Sequence, residues 1–191
     1  MLFYMRIIAL FFMLMVTPSL AADKSANRPA NEPEKGFYDF TLPSIEGGVL
    51  SLADFKGKSI LLVNTASYCG FTKQYDGLQA LYDSRRDKGL VVLGVPSNDF
   101  GQQERGQKAE IKEFCEVNFN IDFPMSDKLV VKGQDAHPLY QWLKAETGAQ
   151  PKWNFYKFLI NGDGQAVAYF SSLTKPESKK LTKAIDATLS D

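Results

Sequence analysis

The sequence predicts an α/β fold, a central mixed sheet flanked by helices with a β-hairpin at its N-terminal end. Three observations carry this. Ser59 to Ala66 and Leu90 to Val95 are near-continuous apolar runs, the pattern of strands buried on both faces. Between them Tyr75, Leu78, Leu81 and Tyr82 recur on one helix face, which makes a βαβ unit with parallel strands and a right-handed crossover. Further on, Lys157–Ile160 and Gln165–Phe170 flank Asn161-Gly-Asp-Gly164, an antiparallel hairpin.

The chain opens with a targeting pattern. Arg6 precedes an unbroken apolar run, Ile7 to Val16, and Ser19-Leu20-Ala21 offers small residues at the −3 and −1 positions of a cleavage site. Residues 1–21 therefore read as a secretory signal peptide, and the chain is expected to be exported, to a bacterial periplasm. Leu2 to Tyr4 lengthen the apolar stretch, so an uncleaved membrane anchor is the alternative. Residues 22–36 are polar, carry Pro29 and Pro33, and read as a flexible linker. The domain is expected over 37–191.

Within it, Phe37–Leu42 and Val49–Leu52 alternate around Gly47-Gly48, a short hairpin. The first buried strand follows, then Cys69-Gly-Phe-Thr72, then the first helix, which Gly89 closes. After the second buried strand, Lys108–Phe119 reads as a helix with Ile111, Phe114, Cys115 and Val117 apolar. Leu129–Val131 reads as a short strand and Pro138–Glu146 as a short helix. Thr174-Lys-Pro-Glu177 has the form of a capping box opening a last helix, with Leu181, Ile185 and Leu189 on one face. A parallel βαβ unit followed by a ββα unit is the thioredoxin-like arrangement. In such sheets chemistry sits at the carboxyl ends of strands, where Cys69 falls.

Composition removes several functions. Lys+Arg and Asp+Glu balance at 22 each, so no basic surplus argues for nucleic acid. A single His, His137, makes a metal centre unexpected, and no cofactor is predicted. His137 precedes Pro138 and reads as a solvated helix-start residue. Arg85-Arg86 and Lys179-Lys180 read as solvated helix faces.

The two cysteines carry the chemistry or none of it. Cys69 at the start of a helix would feel the positive end of the helix dipole, which favours thiolate. It could equally be a small buried hydrophobe. Position 72 is Thr and position 73 is Lys, which removes the Cys-x-x-Cys redox motif and a Cys-x-x-x-Cys copper site. Cys115, on an apolar helical face, reads from position alone as core packing.

Three segments then resemble one family. Asn64-Thr-Ala-Ser-Tyr-Cys-Gly-Phe-Thr72 looks like the active-site segment of glutathione peroxidases. Asn98-Asp-Phe-Gly-Gln-Gln-Glu104 is similar to that family's Asn-Gln-Phe-Gly-x-Gln-Glu, and Trp153-Asn-Phe-Tyr-Lys-Phe-Leu159 to its Trp-Asn-Phe-x-Lys-Phe-Leu. The resemblance runs from about Phe37 to Leu189. It implies a thioredoxin-like fold and a peroxidase whose catalytic residues are Cys69, Gln103, Trp153 and Asn154. Trp, Gln and Asn can all donate hydrogen bonds, to the sulfur or to the peroxide. Phe114-Cys-Glu-Val-Asn-Phe-Asn-Ile-Asp-Phe-Pro124 resembles the resolving-cysteine segment of the thioredoxin-dependent, non-selenium members.

The cycle so implied runs from Cys69 sulfenic acid to a Cys69–Cys115 disulfide, which an external thiol reduces. The partners implied are a hydroperoxide substrate and a thioredoxin-like dithiol protein, or glutathione, as reductant. No arginine cluster marks a glutathione site. The short stretch between Leu143 and Trp153 implies a monomer.

Three positions depart from the family pattern. Ser97 stands where Cys is usual, Asp99 where Gln is, and Arg105 where Pro is. Two other functions remain compatible with the residues. One is a peroxide sensor or oxidation relay that passes its disulfide to a partner protein. The other is a non-catalytic thioredoxin-like binding domain.

Overall fold

A computed structural model describes residues 35–189. The expected signal peptide and all but the last residues of the linker lie outside the described residues.

The sheet that positions everything else has four strands in the order β4-β3-β5-β6. β3 (Ser59–Thr65) and β4 (Leu90–Pro96) are parallel, with Ser59 opposite Leu90 and Thr65 opposite Pro96. β5 (Lys157–Ile160) runs antiparallel to β3, and β6 (Ala166–Phe170) antiparallel to β5. A separate hairpin, β1 (Thr41–Pro43) with β2 (Val49–Ser51), precedes them. Every residue of β3, β4 and β5 is buried, as the unbroken apolar runs required. β6 alternates and exposes Val167 and Tyr169, as an edge strand with one solvated face does.

Side chains alternate across the strands, so each strand feeds two cores. Ile60, Leu62, Leu93 and Phe158 pack with the N-terminal hairpin and with α3 (Pro138–Thr147) through Leu139, Tyr140 and Leu143. Leu61, Val63, Val92 and Leu159 face the other way. They meet α1 (Gln74–Arg85), α2 (Lys108–Phe119) and α4 (Lys179–Asp186) through Tyr75, Leu78, Ile111, Cys115, Leu181 and Ile185. The helix-sheet-helix layering and the strand order agree with the thioredoxin-like expectation.

Local readings failed at three places, each for a visible reason. Phe37–Asp39 is a 3-10 turn and not strand, because the Asp39 carboxylate accepts the Gly36 N–H at 2.8 Å and bends the chain. Leu129–Val131 forms no strand. The Asp99 carboxylate takes the Val131 N–H (2.6 Å) and the Lys132 N–H (3.2 Å), donors that a strand partner would otherwise receive. On the β4 edge Leu129 N–H reaches only Pro96 O (2.9 Å), and the isolated bridge is made earlier, by Met125 to Gly94, where it depends on a missing side chain. A Cβ on Gly94 would stand 3.0 Å from the Met125 side chain. Thr174–Glu177 makes no capping box. α4 starts later, with Ser178 as N-cap accepting from Leu181 N, and the buried Pro176 packs the preceding turns on Gly77 of α1.

His137 is the N-cap of α3, and its Nδ1 accepts the Leu139 N–H at 3.2 Å. Arg85 and Arg86 pair across elements with Asp186 (2.7 Å) and Asp122 (2.9 Å), so that pair of charges clips α1 to α4 and to the segment after α2.

Candidate active site

Cys69 leaves the carboxyl end of β3 and is half-buried. It does not head a helix, as the sequence had suggested. α1 begins at Gln74, and residues 69–73 form a chain of turns, with Thr72 N bonded to Cys69 O and Gln74 N to Phe71 O. Thr72 fastens this loop. Its buried hydroxyl accepts the Cys69 N–H at 3.0 Å and donates to Ala66 O at 2.9 Å. The Phe71 N–H points back at the Cys69 Sγ, 3.4 Å away. The sulfur therefore sits in a turn held from below, with one backbone donor already aimed at it. Thr72→Val keeps the shape and orphans the Cys69 N–H. It is expected to cost about 1–3 kcal/mol in urea unfolding, the penalty for an unmet buried donor. It is also expected to slow the reaction of Cys69 with peroxide.

The second motif reaches the same place from β4. Gln103 O accepts the Tyr68 N–H at 3.0 Å, which ties the residue before Cys69 to this loop. Its side-chain Oε1 accepts Nδ2 of Asn154 at 3.0 Å. With its carbonyl so engaged, Gln103 keeps its NH2 free to donate. The neighbouring Gln102 is exposed and adopts a left-handed φ of 51°, so the two glutamines separate cleanly into a site residue and a turn residue. The departures from the family pattern are also placed. Ser97 is fully buried, Asp99 binds the 131–132 backbone as above, and Arg105 is exposed, its Nε donating to Gln102 O.

The third motif is a strained turn. Phe155 has φ of 62° without being glycine, an arrangement that costs about 1–3 kcal/mol and survives only where its surroundings impose it. They do so here. Asn64 on β3 accepts the Phe155 N–H through its backbone O (2.6 Å) and the Tyr156 N–H through its side chain (3.2 Å). It also donates from Nδ2 to Trp153 O (3.1 Å). From the other side Lys157, wholly buried, donates its Nζ to Phe155 O (2.8 Å) and to Gln74 Oε1 (2.7 Å). Burial pushes the Lys157 ammonium down to about 7. The turn delivers Asn154, fully buried, against Gln103. It also delivers Trp153, 39% exposed, its ring 5.8 Å from that of Phe100.

Glu104 lies beneath the loop, 1% exposed. Its Oε2 accepts the N–H (2.9 Å) and the hydroxyl (3.2 Å) of Ser67, two residues before Cys69. Burial raises this carboxyl to about 7, against the lowering effect of the Ser67 hydrogen bonds and of Lys128. A cleft of about 780 Å³ opens beside it, lined by Ser67, Tyr68, Gln103, Arg105, Ile111 and Phe114.

Cys115 lies on the inner face of α2, 1% exposed, and no disulfide is present. Burial pushes its thiol up to about 11. The residues that precede the two cysteines touch, the Tyr68 and Phe114 rings standing 6.0 Å apart.

The structure thus brings together the segments of Cys69, Gln103, Trp153 and Asn154, and keeps Cys115 behind them. Sequence reasoning overlooked Asn64, Thr72, Glu104 and Lys157. All four lie inside the quoted motifs, but nothing in a linear pattern marks a polar residue as buried. Among the described residues no group of three or more His, Cys, Asp or Glu could hold a metal ion.

The family model and the curated relatives agree on one family. The family model described as Glutathione peroxidase matches residues 37–144. A glutathione peroxidase of Lactococcus lactis subsp. cremoris is 49% identical over 145 residues, covering 74% of this chain and 92% of its own. A hydroperoxy fatty acid reductase of Synechocystis sp. is 47% identical over 150 residues, covering 73% and 89%. A glutathione peroxidase-like peroxiredoxin of Schizosaccharomyces pombe is 45% identical over 145 residues, covering 74% and 92%. Among solved structures, that of Trgpx in its apo form superimposes with a TM-score of 0.65 at 38% identity, covering 81% of this chain and 95% of that one.

Proposed function

The chain belongs to the glutathione peroxidase family, and we propose that it reduces hydrogen peroxide and organic hydroperoxides through a Cys69 sulfenic acid and a Cys69–Cys115 disulfide. Cys69 thiolate attacks the distal peroxide oxygen. The S–O bond forms as the O–O bond breaks, and the departing alkoxide or hydroxide takes a proton and leaves as alcohol or water. One observation carries the reading. The Asn154 amide occupies the Gln103 carbonyl, and the Gln103 backbone holds Tyr68, which presents the free amide N–H groups of Gln103 beside the Cys69 loop. Those donors, with the donor-only indole of Trp153, serve the charge that develops on the leaving oxygen.

The exposed rings of Tyr68 and Trp153 offer an apolar approach for an alkyl tail. The relative named a hydroperoxy fatty acid reductase accords with that substrate class.

Resolution by Cys115 requires the two sulfurs to reach bonding geometry, with Cα atoms about 4.4–6.8 Å apart. α2 is built to yield. It buries only Ile111 and Cys115, leaves Val117 72% exposed, and ends at Asn120 in a left-handed cap. Beyond Ile111 and Cys115, the half-buried Phe114 and Phe119 pack it on the core, so opening the turn that carries Cys115 disturbs few fully buried contacts. A thioredoxin-like dithiol then reduces the disulfide by exchange. The signal peptide read in residues 1–21 would place that donor outside the cytoplasm.

The experiment is a non-reducing peptide map after one equivalent of hydroperoxide, paired with turnover of Cys115→Ser. The expected result is a Cys69–Cys115 cross-link in the wild type. Cys115→Ser is expected to consume its first equivalent of peroxide, then to turn over at least tenfold more slowly with a dithiol reductant. Oxidised Cys69 beside a free Cys115 thiol would instead mean a one-cysteine cycle.

A further inference from the structure

Four segments meet behind the peroxidatic loop: the end of β3, the first turn of α1, the loop after β4 and the inner face of α2. They bring Thr65, Tyr75, Glu104 and Cys115 together, each at most 1% exposed. Three polar atoms in this cluster, Thr65 Oγ1, Tyr75 OH and Glu104 Oε1, are buried without a hydrogen-bond partner. The Tyr75 hydroxyl lies next to the Cys115 thiol and the Thr65 hydroxyl without a formed hydrogen bond to either, and the Glu104 charge is near enough to disfavour its ionisation. Each unmet buried group costs about 1–3 kcal/mol, so three in one cluster call for a reason beyond stability.

The reason lies in the second step of the cycle. The thiolate, not the thiol, is the nucleophile that resolves a sulfenic acid. Burial favours the neutral Cys115 thiol; the Tyr75 hydroxyl works the other way, and the charges of Glu104 and Glu116 disfavour thiolate further. A buried thiol of this kind needs a base. The one carboxylate in the cluster is Glu104, with one oxygen fixed by Ser67 and the other unengaged.

We propose that Glu104 accepts the Cys115 proton, relayed through the Tyr75 hydroxyl, and so sets the rate of disulfide formation. This rests on Cys115 being the resolving cysteine. The proton passes from Cys115 Sγ to Tyr75 OH while the Tyr75 proton moves to the Glu104 carboxylate, once the Tyr75 hydroxyl and Glu104 Oε1, unbonded to each other at rest, close to hydrogen-bond distance. The freed electron pair on Cys115 Sγ forms the S–S bond to Cys69, and the S–O bond of the sulfenic acid breaks. The departing hydroxide takes the proton from Glu104 and leaves as water. The peroxide has already supplied the oxidation, so no further oxidant enters. A thiolate is costly to keep buried away from water, so its formation also favours release of Cys115 from the inner face of α2.

Four groups face the Glu104 carboxyl from the surrounding elements. Ser67 and Lys128 favour its charged form, while Tyr75 and Cys115 become its like-charged neighbours if they ionise.

The test is a rapid-quench experiment on the reduced, mature protein. Hydrogen peroxide starts the reaction, an alkylating agent stops it, and mass spectrometry follows both Cys69 oxidation and the Cys69–Cys115 cross-link between pH 5.5 and 9. In the wild type the rate of cross-linking, taken relative to Cys69 oxidation, is expected to rise with pH through an inflection near neutrality. Glu104→Gln, which keeps an acceptor for Ser67, is expected to lose that inflection and to slow the relative rate at least tenfold at pH 7.5. Glu104→Asp should recover part of it. Tyr75→Phe, which leaves the carboxylate in place, should slow cross-linking by a similar factor and serves if Glu104→Gln folds poorly. An inflection unchanged in both Glu104→Gln and Tyr75→Phe overturns the relay, even if both are slower. Wild-type protein that oxidises Cys69 without any cross-link overturns the two-cysteine cycle itself, and the relay with it.

Discussion

Cys69→Ser is expected to abolish hydroperoxide reduction, a loss of at least ~10³-fold, or about 4 kcal/mol of transition-state stabilisation. The magnitude follows from the element. A serine oxygen has no counterpart to the sulfenic acid, so the step that accepts the peroxide oxygen disappears rather than slows. The fold should survive. Cys69 is half-buried, its Sγ receives only the Phe71 N–H at 3.4 Å, and a serine hydroxyl can accept the same donor. Thr72 would still hold the turn through the Cys69 backbone N–H. Unfolding in urea should therefore stay within about 1 kcal/mol of wild type, as most substitutions off the core do. The decisive measurement is consumption of hydrogen peroxide and of an alkyl hydroperoxide in the presence of a dithiol. Retained consumption by Cys69→Ser would move the chemistry off this residue and leave the Gln103–Asn154 pair without an object.

How much of this could be read from the chain differs between elements for physical reasons. β3 and β4 were legible because burial on both faces demands an unbroken apolar run, and few other structures do. The β5–β6 hairpin was legible because Asn161-Gly-Asp-Gly164 carries the turn chemistry locally. Leu129–Val131 has the same apolar look as a strand. Its fate was decided by Asp99, more than 30 residues away in the sequence, whose carboxylate claims the backbone donors. Thr174–Glu177 has the capping spacing, and tertiary packing of Pro176 on α1 overrode it.

The site divides in the same way. Cys69, Gln103, Trp153 and Asn154 stand out because their motifs are long and ordered along the chain. Asn64, Glu104 and Lys157 sit in those motifs as ordinary polar residues. What makes them consequential is depth, and the neighbours that depth brings: a strained Phe155 turn for two of them, the Ser67 backbone for the third. Depth is a property of the packed fold and has no linear signature.

Two of these buried groups should give the protein an unusual pH profile, with a stability minimum close to neutrality. Stability rises with pH wherever the unfolded state binds more protons than the folded one, by at most about 1.4 kcal/mol per pH unit for a single group. Glu104 ordinarily titrates at 4.5 and in the fold at about 7. Between those values the folded chain holds a proton that the unfolded chain has lost, so stability falls as pH rises. Lys157 ordinarily titrates at 10.5 and in the fold at about 7. Above neutrality the unfolded chain holds the extra proton, so stability rises with pH. Two other groups trim the limbs. Burial lowers the His137 pKa, which opposes the Glu104 slope at acid pH. Cys115, raised to about 11, opposes the Lys157 slope above pH 9. The measurement is urea unfolding at half-unit intervals from pH 5 to 9 for the wild type, Glu104→Gln and Lys157→Met. Glu104→Gln is expected to flatten the acid limb and leave the alkaline one. Lys157→Met should do the reverse, each removing about 2–3 kcal/mol of pH dependence across its window. Curves for both variants that run parallel to wild type would mean that solvent reaches these groups and that neither carries its burial as a charge penalty. The same flattening in Glu104→Gln would establish a carboxyl that exchanges its proton at neutral pH, the property a base for the Cys115 thiol must have.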